Sequence, residues 1–108
     1  MFGSKEKKAR IDTFADQLIA ELIQRFPVEK EAELRTQRLE PARQLGGAVN
    51  VLERRVVAFQ QEARLGVYGK AKLLNRLKWE LKEKGYGEAF IDLTVAEVTR
   101  MLSVRVKQ

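Results

Sequence analysis

LLNRLKWELKEKGYGEAFIDLTVAEVTRML, residues 73–102, decides how this chain folds. Leu74, Leu77 and Leu81 recur at three- and four-residue steps, and so do Ile91, Val95, Val98 and Leu102, with Phe90, Thr94 and Met101 alongside. Both runs are the stripes of helices. Gly85-Tyr86-Gly87 interrupts them, and glycine is the residue that lets a helix end in a left-handed turn. A connection this short predicts an antiparallel helical hairpin, with helices over about residues 70–84 and 88–104.

The same period continues toward the N-terminus. Ile11, Phe14, Ala15, Leu18, Ile19, Leu22, Ile23 and Phe26 mark one face of a helix that Pro27 stops. Ser4 is its candidate N-cap, and residues 1–8 are expected to fray or be disordered. VEKEAELRTQRL, residues 28–39, is acidic first and basic later, which suits the dipole of a short helix. Pro41 disfavours helical geometry at Glu40 and so kinks the chain or opens the next helix.

Residues 42–64 read as the long helix of the fold, with a heptad-like seam of Leu45, Val49, Leu52, Val56, Phe59 and Ala63. A buried Phe59 would cost about 3–5 kcal/mol on truncation to alanine. Gly46-Gly47 in its first turns costs about 1 kcal/mol per glycine, which points either to a close helix crossing or to a later start. Leu65 to Gly69 is a break. The expectation is one all-α domain over residues 1–108. It is a small bundle of four main helices plus one short helix, ending in the antiparallel hairpin, with 105–108 as a tail.

Composition narrows the chemistry. Hydrophobic residues make up 44% and charged residues 33%, with 2 Pro and 7 Gly, which is the balance of a folded helical chain. Cys is absent, so neither a disulfide nor a thiolate metal site exists. His is absent too, which removes the commonest general base, the commonest metal ligand and every Ser-His arrangement. The glycines match neither a phosphate-cradling loop nor a dinucleotide fingerprint. Glu29, Glu31 and Glu33 offer oxygens to a hard cation, but an acidic first helical turn explains them without one. No apolar run reaches membrane-span or signal-peptide length. The expectation is therefore a cytoplasmic binding protein without enzymatic activity, cofactor, metal or membrane insertion.

Charge is concentrated. Residues 64–84 hold seven bases (Arg64, Lys70, Lys72, Arg76, Lys78, Lys82, Lys84) against Glu80 and Glu83, a net of +5 in a chain of +6. Such localisation is the electrostatic footprint of a protein that meets phosphate or an acidic surface. At about 100° per residue, Trp79 falls opposite the leucine stripe, beside Tyr68, Lys72, Asn75, Arg76 and Lys82. Two readings compete. In one, Trp79 stacks on a base while the cations take phosphates. In the other, Trp79 packs against the first helix and the lysines extend their stems over apolar surface. The nucleic-acid or acidic-partner surface is assigned to Arg64, Tyr68, Lys72, Arg76, Trp79 and Lys82. The alternative function is a protein-interaction module or homodimer that uses the seam of the long helix.

The stretch LLNRLKWELKEKGYGEAFID, residues 73–92, resembles the helix, Lys-Gly-aromatic turn, helix pattern in repeats of the RecX family of RecA regulators. Leu77, Leu81, Lys84-Gly85-Tyr86 and Ile91 carry the likeness, over about a fifth of the chain. What it implies is the helical hairpin; no function is transferred with it.

Overall fold

The computed structural model describes residues 4–34, 36 and 39–103, and their fold is all-α. In order come α1 (Ser4–Arg25), α2 (Val28–Leu34), α3 (Leu39–Ala63), α4 (Val67–Glu83) and α5 (Glu88–Leu102). The four long helices close into a ring in which α1 touches α3 and α4, and α5 touches the same two. Among the described residues no helix is long and apolar enough to cross a membrane. The expected tail at 105–108, residues 1–3 and the end of the last predicted helix at Val104 lie outside the described residues. So does the side chain of Ser4, the candidate N-cap, whereas Lys5 to Lys8 lie within α1.

The apolar stripe of α1 largely does what its spacing implies: Ile11, Phe14, Ala15, Leu18, Ile19, Leu22 and Phe26 are buried, and Ile23 is half-buried against the core. α3 runs antiparallel to it, since Arg10 pairs with Glu62 and Arg55 with Glu21. α4 runs parallel to α1 in a constant register. Asp12 meets Lys72, Asp16 meets Arg76, and the Tyr86 hydroxyl donates to the Phe26 carbonyl at 2.7 Å.

Helix ends follow local chemistry. α2 stops at Leu34, short of the expected Leu39, because the backbone N–H and the hydroxyl of Thr36 both donate to the Glu33 carbonyl (3.1 and 2.6 Å). Leu39 instead opens α3 and is exposed, with Pro41 buried in the first turn, where its missing N–H is no loss. α3 ends at Arg64, which takes a left-handed φ of 51°, and the Gln60 side-chain amide holds both backbone polar groups of Leu65. The break is thereby shorter than the sequence implies: Val67 to Gly69 already belong to α4. Gly69 is buried there because a Cβ would lie 3.1 Å from Leu65 and 3.6 Å from Ile11.

α4 closes in a Schellman turn. Gly85, at φ 94°, donates to the Lys82 carbonyl and Tyr86 to that of Leu81. Tyr86 then enters the core, stacking on Phe90, which stacks in turn on Phe26. Glu31 of α2 receives the Gly87 N–H on both carboxylate oxygens (2.9 and 3.0 Å), so an anion sits at the start of α5.

Three expectations need correction. The inner stripe of α4 is Gly69, Leu73, Leu77 and Leu81, while Leu74 is only half-buried, because the helix contacts α1 on one side and α5 on the other. Along α3 the buried residues are Pro41, Ala48, Leu52 and Val56. Leu45, Val49, Phe59 and Ala63 are half-buried. Phe59 lies flat on Phe14 with ring centres 4.0 Å apart, its outer face toward Arg10, so the cost of full burial does not apply. Gly46 and Gly47 mark neither a crossing nor a later start; the helix passes through them, they are exposed, and nothing lies within 4 Å of a Cβ at either.

The glycines should therefore respond oppositely to alanine. Gly46→Ala and Gly47→Ala each stabilise by about 1 kcal/mol in urea unfolding, because the helix gains propensity and loses no contact. Gly85→Ala destabilises by about 1–2 kcal/mol, because its φ is costly for any residue with a Cβ.

Tyr86 gives the second expectation. Burial, reinforced by Glu29 and Glu31, pushes its pKa up to about 12 from 10.0. The neutral phenol is thus favoured in the fold, and that stabilisation is complete below pH 10 and lost as pH rises toward 12. Tyr86→Phe should remove this alkaline loss. At neutral pH it should cost about 1–2 kcal/mol by leaving the buried Phe26 carbonyl without its donor, as chemical denaturation at matched pH values will read.

Candidate functional site

α4 has three sides, each fixed by a neighbour or by the lack of one. Gly69, Leu73, Leu77 and Leu81 face the core. Lys72, Arg76 and Glu80 lie along α1. The third side carries Tyr68, Ala71, Asn75, Lys78, Trp79 and Lys82, all exposed.

The α1 side is an ion-pair network. Lys72 Nζ stands 3.4 Å from Asp12 Oδ1, and Arg76 Nη2 donates to Asp16 Oδ1 at 3.2 Å. The Arg76 Nε is 3.4 Å from Glu80 and 3.8 Å from Asp12, contacts that are electrostatic without being hydrogen bonds. Asp16 is held below the ordinary carboxylate range, first by its hydrogen bond with Glu80 and then by Arg76, against the opposing effect of burial. Glu80 is pushed up, first by burial and then by sharing that bond with Asp16.

The outward side is different. Trp79 is 60% and Tyr68 71% exposed, so Trp79 does not pack against the first helix. Both rings line an open groove of about 410 Å³, together with Ala71, Lys72, Asn75 and Arg76. Eleven residues separate the rings, which at about 100° per residue returns them to within about 20° of one direction. The floor between them is the small side chain of Ala71 and the Asn75 amide, a donor and an acceptor.

Of the six residues assigned from sequence, Tyr68, Lys72, Arg76 and Trp79 come together in this groove. Lys82 is exposed beyond its Trp79 end. Arg64 stands apart at the α3–α4 corner, where its backbone serves as the helix stop. Lys72 and Arg76 are less available than their charge implies, because α1 supplies Asp12 and Asp16. That neutralisation was missed. Its signal was the matching four-residue spacing of Asp12 and Asp16 against Lys72 and Arg76. Among the described residues, Arg64, Lys70, Lys78, Lys82 and Lys84 form no ion pair with a carboxylate. Of the acidic trio on α2, Glu31 is on the Gly87 N–H and Glu33 pairs with Lys30.

A second concavity of about 410 Å³ lies between α3 and α5, lined mainly by aliphatic side chains that include Leu45, Val49, Leu93 and Met101. Comparison with protein-family models, with curated proteins and with solved structures gave no match. Residues 73–92 do form a helix, turn and helix, and the resemblance to RecX repeats is a likeness of that hairpin.

Proposed function

We propose that the chain is a non-enzymatic binding module whose working surface is the outward side of α4, and that its partner is single-stranded nucleic acid. The observation that carries this reading is the exposure of Tyr68 and Trp79 along one groove, beside lysines that have no carboxylate partner. Aromatic faces take bases of any sequence, and unpaired cations take phosphates. Lys78 and Lys82 are the cations best placed to do so, and Lys72 and Arg76 contribute only as far as α1 releases them.

A second reading rests on the α3–α5 concavity. Leu93 is 54% exposed at its edge, and an apolar surface of this kind fits a second copy of the chain. Sedimentation from micromolar to submillimolar concentration tests it, and a monomer throughout removes it.

The principal test titrates fluorescein-labelled single- and double-stranded oligonucleotides at two salt concentrations. Binding to single strands should weaken steeply with salt, through counterion release. Lys78→Gln and Lys82→Gln should flatten that slope, and Trp79→Ala should cost about 1–3 kcal/mol, mainly on single strands. Asp12→Asn with Asp16→Asn should tighten binding and steepen the slope, because two bases are freed. No binding at low salt overturns the proposal. So does equal binding of a polyglutamate peptide that ignores Trp79→Ala, which would identify an acidic protein as the partner.

A further inference from the structure

Resting on the single-strand reading of this face, we propose that the groove holds two bases at once, one on Tyr68 and one on Trp79, and that its shortest full ligand is a strand of about four nucleotides. Eleven residues at about 1.5 Å each place the two rings roughly 16 Å apart along the axis of α4. A stacked strand advances about 3.4 Å per nucleotide and would need about five steps to cover that distance. A strand whose bases are splayed toward protein rings is drawn out to about twice that rise and covers it in two to three steps.

The groove selects the splayed form. Between the rings it is lined by Ala71, Asn75 and the carboxylate-paired Lys72 and Arg76, none of them aromatic, so the intervening bases find no aromatic face to stack on. One wall is closed electrostatically, because Asp12 and Asp16 stand behind Lys72 and Arg76. The strand's phosphates are therefore drawn toward Lys78 and Lys82, which are exposed without a carboxylate beside and beyond Trp79. Charge thus favours phosphate at the Trp79 end of the groove, and the Tyr68 end offers its ring alone.

The test is a length series of 5′-fluorescein oligothymidylates, from two to ten nucleotides, read by anisotropy at low salt. Affinity should step up by tenfold or more between two and about five nucleotides, where the second ring is reached. Above that length it should rise only gently. Tyr68→Ala should abolish the step, and Tyr68→Phe, which keeps the ring, should restore it. The Tyr68 side chain is exposed, so both variants should unfold at the wild-type midpoint. Binding of long strands that rises smoothly with length, with Tyr68→Ala indistinguishable from wild type, overturns the two-ring site and leaves a one-ring platform at Trp79. Failure of even the ten-nucleotide strand to bind overturns the platform and the two-ring site together.

Discussion

The hydrogen bond from the Tyr86 hydroxyl to the Phe26 carbonyl fixes the register on which the rest of this structure depends. It joins the end of α1 to the turn between α4 and α5, and the Phe26–Phe90–Tyr86 stack makes that joint rigid. From there the two helices run back in parallel with an unchanging offset, so that Asp16 arrives at Arg76 and Asp12 at Lys72. A slip of one residue would rotate these groups by about 100° and separate all three contacts. The electrostatics of α4 are thus set at its far end, by an aromatic residue that touches none of the charges.

That register divides a basic helix into two chemically different edges. Along α1 the cations are balanced by the carboxylates of Asp12, Asp16 and Glu80. Along the outward edge they face water. Exposed ion pairs contribute little to stability, typically less than about 1 kcal/mol each. The consequence of the Asp12 and Asp16 pairings is therefore directional more than energetic. They lower the positive potential on one side of the groove and leave it on the other, so a polyanion approaching α4 meets an oriented surface.

The sequence was informative wherever spacing alone decides. The stripe of α1, the hairpin and the glycine stop at Gly85 follow from period and φ preference, and each stands where the pattern put it. It was less informative where a third element intervenes. Leu74 came out only half-buried at the edge of the core, because a helix held by α1 and α5 buries a row centred between its two neighbours, and a sequence read one helix at a time does not contain those directions. Gly46-Gly47 invited a packing explanation, but the structure offers none at either residue. At the candidate site the shared direction of the two rings was legible from angle alone, but whether Trp79 was exposed or packed on α1 was not. The pairing of Lys72 and Arg76 was not, since it depends on a register fixed by a contact sixty residues apart in the chain.

The exposure of Tyr68 and Trp79 carries information because of where the other exposed apolar side chains are. Isolated exposed hydrophobes are ordinary on small domains, and Leu39 is of that scattered kind, while Leu93 borders the α3–α5 concavity. Val67, Tyr68 and Trp79, in contrast, all belong to α4, and the two rings share a direction on it. Had Trp79 been recruited only for stability, the place for it was about half a turn away, on the row occupied by Leu77 and Leu81, where its large apolar area would be removed from water. Placing it opposite that row forgoes the gain. The four-residue and seven-residue intervals from Tyr68 to Lys72 and Asn75, and from Asn75 and Lys72 on to Trp79, together with Arg76, then keep one polar amide and two tethered cations between the rings. That order of groups along a single helix face suits an extended ligand with alternating flat and anionic parts better than it suits a compact apolar one.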